Sequence, residues 1–247
     1  MSGLEGKRVL ITGGGSGAGA DLARGFAGAG AGVVIAGRRA DALAKVAARL
    51  PGMRTVVADV TDEASVAAMF AEAGPCDIVI ANAGSAASAR FERTTLAEWN
   101  AILAVNLTGV FLTFREALRQ MPGWGRLIAV ASIAGLRGGA KIAPYAASKH
   151  GVVGMVRSVA LEVAERPVTA NAICPGYLDT EMTGRTVANI AARTGRGADW
   201  ARGYLEGLSP QKRLYRPAEV TATALWLCAP GAEGVNGQAI AISGGEP

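Results

Sequence analysis

The sequence predicts an α/β fold: a doubly wound, seven-stranded parallel sheet with helices on both faces, in a single domain spanning residues 1–247. Three observations carry this expectation. Short β-branched runs alternate with helical patterns along the whole chain, as βαβ units do. The first run breaks into a glycine-rich turn that opens a helix, which is how a parallel sheet meets a phosphate. Half of the residues are hydrophobic but only 5% are aromatic, and 34 are glycine, a composition suited to close helix-on-sheet packing.

Lys7 to Thr12 reads as a buried parallel strand. It runs into Gly13-Gly14-Gly15-Ser16-Gly17-Ala18-Gly19, and a helical pattern begins at Asp21. Gly15-x-Gly17-x-x-Ala20 satisfies a dinucleotide fingerprint, and Thr12-Gly13-x-x-x-Gly17-x-Gly19 reads the same residues a second way. The second strand, Gly32 to Ala36, is followed by Gly37-Arg38-Arg39 with no acid at its tip. An acid there would bind ribose hydroxyls, whereas a guanidinium suits a 2′-phosphate. NADP(H) is therefore favoured over NAD(H), against a solvated arginine pair opening a surface helix. Asp41 reads as the cap of that helix.

The third strand, Arg54 to Val60, ends in Asp59-Val60, where the acid can reach an adenine amino group or cap the following turn. Asp77 to Ile80 is a fourth strand. Its small-residue exit, Asn82-Ala83-Gly84, lets backbone approach a flat ligand. Two amphipathic segments follow, Leu96 to Leu103 and Val105 to Gln120, and Asn106 in the second is poorly placed unless something uses its amide. Leu127 to Ala131 is a strand ended by Ser132. Tyr145 and Lys149 are four apart on a helix and so share a face, where an ammonium would pull the phenol below its usual pKa. A phenol so tuned is a usable general acid, and the Ser132 hydroxyl can supply a second hydrogen bond to the oxygen it protonates.

Pro167 to Ile173 is the sixth strand, and the Pro175-Gly176 break after it puts Tyr177, Leu178 and Thr180 on the ligand side of the sheet. A glycine- and arginine-rich insertion with weak helical pattern, at about 183–209, reads as a substrate lid; Trp200, Tyr204 and Leu205 are its candidate pocket residues. Pro217 opens a helix, and Gln238 to Ile242 is the last strand.

Composition excludes several classes. Cys76, Cys174 and Cys228 form neither a disulfide framework nor a zinc motif, so no metal is expected and the setting reads as reducing and cytoplasmic. No apolar run approaches membrane-spanning length. The net charge of +5 lies between Arg185 and Arg216, with seven basic residues against two acidic ones. Without aromatic platforms or a helix-turn-helix reader, this points to a local anionic ligand and not to nucleic acid.

In order, these motifs resemble the short-chain dehydrogenase/reductase family, in its compact single-domain Rossmann branch, over essentially the whole chain. Two stretches depart from the family pattern. Ala81 stands where an asparagine is usual, and Ala129 and Ala131 precede Ser132 where relatives often carry Asn and Ser. The resemblance implies a tetrad of Asn106, Ser132, Tyr145 and Lys149 that interconverts a carbonyl and a secondary alcohol. Lys149 would also bind the nicotinamide ribose, Asn106 would hold a water joining Lys149 to solvent, and Leu178 and Thr180 would hold the carboxamide. His150 has no part in the tetrad and reads as structural. The expected substrate is a 3-oxoacyl thioester on coenzyme A or an acyl carrier protein. A small aryl or steroid-like alcohol or ketone is the alternative, and a non-catalytic NADP(H) sensor is a third reading. The family tendency implies a homotetramer, or a homodimer.

Overall fold

Seven parallel strands lie in the order β3-β2-β1-β4-β5-β6-β7 in the computed structural model, which describes residues 3–121 and 123–246. The first half contains β1 (Arg8–Thr12), α1 (Gly17–Gly28), β2 (Gly32–Gly37), α2 (Ala40–Ala47), β3 (Arg54–Val57), α3 (Glu63–Ala73) and β4 (Ile78–Ala81). After these come α4 (Leu96–Leu103), α5 (Gly109–Gln120), β5 (Gly125–Val130), α6 (Ala143–Glu162) and β6 (Val168–Pro175). The chain ends with α7 (Glu181–Thr194), α8 (Ala198–Leu208), α9 (Pro217–Cys228) and β7 (Ala239–Ile242).

The pleat of each strand sends alternate side chains to opposite faces. On β1, Leu10 joins the core formed with Phe70, Phe114, Val152 and Val156 of α3, α5 and α6. Val9 and Ile11 join Leu22, Phe26, Val220 and Leu227 of α1 and α9 on the other face. Each fully buried Phe or Leu contributes roughly 1.5–3 kcal/mol relative to exposure. Gly25 lets α1 meet α9 closely, since a Cβ there would lie 2.2 Å from the Thr221 methyl. Strand order reverses between β1 and β4, which places the ligand crevice at their C-terminal ends.

Several expectations need correction. β3 stops at Val57 because Asp59 accepts from the Thr61 amide (3.0 Å) and hydroxyl (2.8 Å), turning the chain into α3. α2 is preceded by Arg39 as its N-cap; Asp41 sits in the first turn and caps nothing, although its charge there complements the helix dipole. The two amphipathic segments form one 25-residue helical rod, Leu96–Gln120, continuous through a π-helical turn at Ala104–Thr108. That rod is long and apolar enough to cross a membrane, contrary to expectation, with half of its most apolar stretch buried against the fold. The insertion after Thr180 is two helices, α7 and α8, and Gly195 in the left-handed region (φ 70°) ends the first.

Candidate active site

The glycine turn is held from two strands. Thr12 Oγ1 accepts from the Asn82 and Ala83 amides, each at 3.1 Å, and Asn82 Nδ2 donates to the Thr12 and Gly13 carbonyls at 3.0 and 3.2 Å. Gly13 and Gly17 adopt positive φ (67° and 52°), and a Cβ on Gly19 would lie 2.2 Å from the Gly13 carbonyl oxygen. Thr12 was named only as part of a motif in the sequence, yet its hydroxyl joins β1 to the β4 exit. Ser16 makes no side-chain cap, and α1 carries no acid in its first turn. Its leading N–H groups, Ala18 among them, are thus free of side-chain partners, as a diphosphate-binding helix start requires. Beside Ser16 opens a cavity of about 310 Å³ lined in part by Arg24, Arg39, Lys45 and Arg49, with Asp41 and Glu181 as its acids. The glycine turn and the uncapped start of α1 fit the diphosphate of a nicotinamide dinucleotide.

The two arginines after β2 differ. Arg39 reaches Ser16 Oγ at 3.5 Å, whereas Arg38 is largely exposed and lies 4.0 Å from Asp59. Asp59 holds its carboxyl below the ordinary value, chiefly through the Thr61 amide, with Arg38 adding to it. One Asp59 oxygen is therefore engaged in the turn. Val60 packs its side chain on Gly109 at the start of α5.

Asn106 sits at the centre of the π turn and is fully buried. Its Oδ1 accepts from the Ser85 amide and its Nδ2 donates to the Ser85 carbonyl, both at 2.8 Å. Nδ2 also donates to Ser148 Oγ (3.2 Å), whose hydroxyl donates to the Tyr145 carbonyl at 2.7 Å. A side chain foreign to an apolar helix is thus fully used, tying the β4 exit to α6. Ser85 and Ser148 were not singled out in the sequence; only the oddity of Asn106 signalled that partners existed.

Gly84 brings these parts close, since a Cβ there would sit 3.3 Å from Asn106 Oδ1 and 3.8 Å from Lys149 Nζ. Lys149 is buried, donates to the Val130 carbonyl at 2.8 Å and lies 5.7 Å from the centre of the Tyr145 ring. Burial lowers its pKa to about 8. Burial also raises the Tyr145 pKa, with the Ser132 hydroxyl working against it and Tyr177 and Cys174 adding to the rise. The expected downward pull of Lys149 on the phenol does not set the direction: the ammonium, 5.7 Å from the ring centre, donates to the Val130 carbonyl, and desolvation is the leading cause of the shift. Ser132 accepts from the Ala134 amide (3.1 Å) and donates to the Pro175 carbonyl (3.4 Å), which fixes its hydroxyl at the joint between β5 and β6.

Past β6, Gly176 leaves room for the Tyr215 ring, 2.8 Å from where a Cβ would be. Tyr177 is partly exposed, and burial raises its pKa, with Tyr204 next in effect. Leu178 bridges to Tyr215, and its carbonyl accepts from Thr183 Oγ1 at 2.5 Å. Thr180 lies over the glycine turn, its methyl 3.4 Å from the Cβ position of Gly17. Trp200 and Tyr204 stack at 5.6 Å and are both substantially exposed, while Leu205 on the same helix, α8, is buried. His150 is exposed, with its ring Nδ1 2.9 Å from the Ala146 carbonyl. The basic excess after Arg185 is smaller than counted, because Arg202 is held by Asp179 (2.9 Å) and Arg213 by Glu219 (2.7 Å), acids outside that window.

The family model described as short chain dehydrogenase matches residues 7–191. A 3-oxoacyl-[acyl-carrier-protein] reductase of Aquifex aeolicus is 34% identical over 253 residues, covering 98% of each chain. A D-beta-hydroxybutyrate dehydrogenase of Cupriavidus necator is 37% identical over 253 residues, again with 98% of each covered. A crystal structure of a variant actinorhodin polyketide ketoreductase with NADPH superposes with a TM-score of 0.92 at 31% identity, covering 99% of this chain and 98% of that one.

Proposed function

Because the chain belongs to the short-chain dehydrogenase/reductase family, and so is an oxidoreductase acting on carbonyl and CH–OH groups, we propose that it is an NADP(H)-dependent 3-oxoacyl thioester reductase with Tyr145 as general acid. The observation that carries the mechanism is the half-buried Tyr145 with its hydroxyl beside Ser132, one helical turn from the buried Lys149. With its pKa raised, Tyr145 holds its proton at neutral pH, as a donor to a carbonyl oxygen must. Ser132 aligns and polarises that oxygen as negative charge grows on it. Lys149, still an ammonium at neutral pH, stabilises the phenolate left behind and would hold the ribose of a bound nicotinamide nucleotide. Asn106 positions the β4 exit against α6, so that Gly84 keeps its distance from Lys149. The bound nicotinamide supplies the hydride.

Cofactor choice rests on the cavity at Ser16, where Arg39, Lys45 and Arg49 suit a 2′-phosphate while Arg24 is held by Asp21 at 3.0 Å; Arg38 stands outside this lining, beside Asp59. Gly13, Gly15, Ser16, Gly17, Ala18 and Gly19 would hold the diphosphate, Asp59 and Val60 the adenine edge, and Leu178 and Thr180 the carboxamide. Helices α7 and α8, about 183–209, would form the substrate lid, with Tyr177, Trp200 and Tyr204 on its substrate side. The thioester is taken from the reductase relatives. The hydroxybutyrate dehydrogenase relatives favour a second reading, NAD-dependent oxidation of a small 3-hydroxy acid.

Initial rates with NADPH and NADH against acetoacetyl-coenzyme A, aryl ketones and 3-hydroxybutyrate separate the two. NADPH with the thioester should be fastest; faster turnover of 3-hydroxybutyrate with NAD⁺ would overturn the first reading. Half-exposed Phe111 on α5 and Trp226 on α9 support assembly as a homotetramer through the α4–α5 rod and the β7 edge. Three buried, free cysteines fit a reducing cytoplasm.

A further inference from the structure

A second cationic cavity, of about 380 Å³, is lined by Ala89, Arg90, Arg93, Lys141 and Arg193. Its four cations come from three separate parts of the chain: the segment after β4, the segment before α6 and the last turn of α7. Glu92, 3.8 Å from Arg90, is the acid paired with any of them; Arg93, Lys141 and Arg193 make no salt bridge among the described residues. Like charges converging on one hollow repel, and an anion between them would turn that repulsion into attraction.

The backbone is shaped to the same end. Lys141 holds φ at 67°, a conformation a lysine seldom adopts, and its carbonyl accepts from the Ala89 amide at 3.0 Å. Strained residues of this kind gather at ligand clamps, and this one joins two of the segments that bring the cations together. Lys141 precedes Tyr145 by four residues, so the cavity lies within about 14 Å of it along an extended path. It is therefore placed for a part of the substrate remote from the reacting carbonyl.

We propose that this cavity binds a phosphate ester on the handle of the substrate. The proposal rests on the thioester reading above and deepens it. Phosphate presents three acceptor oxygens to guanidinium and ammonium donors, and a hollow of this size takes a phosphate with part of the chain that bears it.

The test is calorimetric titration of the full-length enzyme, saturated with NADPH so that the nucleotide cleft is filled. Coenzyme A, pantetheine 4′-phosphate and pantetheine are the probes. The Arg93→Gln/Lys141→Asn variant removes two charges while giving residue 141 a side chain that tolerates positive φ. Both phosphorylated probes should bind more tightly than pantetheine, weaken with salt, and lose about ten-fold in affinity in the variant. Arg93→Lys/Lys141→Arg should recover most of that loss. Sensitivity confined to coenzyme A would assign the cavity to its nucleotide end, and sensitivity shared by both probes to the pantetheine phosphate. Pantetheine binding as tightly as its phosphate, or a variant with unchanged affinities, would overturn the proposal.

Kinetics keep the two readings apart. The ratio of kcat/KM for acetoacetyl-coenzyme A to that for the N-acetylcysteamine thioester should fall about ten-fold in the variant. A wild-type enzyme that reduces both thioesters equally, with a ratio the variant leaves alone, sinks the cavity proposal and spares the thioester one. Failure to reduce any thioester, alongside charge-sensitive binding of the phosphorylated probes, sinks the thioester reading alone.

Discussion

Asn106 and Ser85 form a reciprocal pair: the asparagine amide both accepts from the Ser85 N–H and donates to the Ser85 carbonyl, at 2.8 Å each way. An amide can satisfy a backbone in this two-handed way; a carboxylate or a methyl cannot. Because the partner lies just beyond Gly84, the pair fixes the floor of the active site from inside the apolar rod.

Asn106→Ala should therefore strip both Ser85 groups of their partners and cost about 2–4 kcal/mol of stability. Asn106→Asp retains the acceptor but turns the donor into a second acceptor facing a carbonyl, so it should be no better. Urea unfolding measures both, and a loss below about 0.5 kcal/mol for either would show that the pair contributes little.

Tyr145→Phe should lower kcat/KM for carbonyl reduction by about 10²–10⁴-fold, with NADPH affinity, read by fluorescence, changed by less than about three-fold. Ser132→Ala should cost about 10²-fold, because it removes one hydrogen bond to the developing oxyanion. A phenylalanine variant that turns over at the parental rate would remove Tyr145 from the chemistry.

The arginines after β2 should govern cofactor choice. Arg38→Asp combined with Arg39→Ser removes two cations near the 2′-phosphate position and adds an acid able to bind ribose hydroxyls. The NADPH-to-NADH ratio of kcat/KM should drop by at least about 10²-fold. An unchanged ratio would mean that Arg24, Lys45 or Arg49 does the selecting.

Burial lowers Lys149 to about pH 8 in the folded state, so the unfolded chain binds the extra proton between that value and the ordinary lysine range. Stability should accordingly rise with pH across that window, by about 3 kcal/mol at most. Lys149→Met, with nothing to deprotonate, should be flat there, and its advantage over the parent should shrink as pH rises from about 8. Denaturant titrations at several pH values read the slope; parallel curves for parent and variant would assign the lysine no such coupling.

Gly19→Ala should disturb the turn itself, because the new methyl would collide with the Gly13 carbonyl and the Asn82 amide. Dinucleotide affinity should fall about ten-fold or more, which a binding isotherm will show, and an unaltered affinity would mean that the turn relaxes freely.

The order of elements, the parallel sheet, the glycine turn and the positions of Asn106, Ser132, Tyr145 and Lys149 were all legible in the chain, because each depends on local signals. Periodicity marks a strand or helix within a few residues, and Gly13 or Pro175 marks a break where it stands. The π turn was not legible. Its sequence, Ala-Val-Asn-Leu-Thr, looks like an interrupted helix, and its geometry follows from hydrogen bonds to Ser85 and Ser148, 21 and 42 residues away. The balance of ionisation around Tyr145 was also hidden. Spacing put a lysine on the same helix face, but burial by β5, β6 and their exits sets the direction of the shift.

By itself, then, the sequence determined the fold and the kinds of group available for the reaction. The tertiary structure decided which of those groups lie in a dry environment, which basic residues are already neutralised by acids elsewhere in the chain, and which converge on a hollow. The reason is physical: secondary structure and side-chain chemistry are written in neighbouring residues, whereas desolvation and Coulomb energy depend on every atom within several ångströms, whatever its place in the chain.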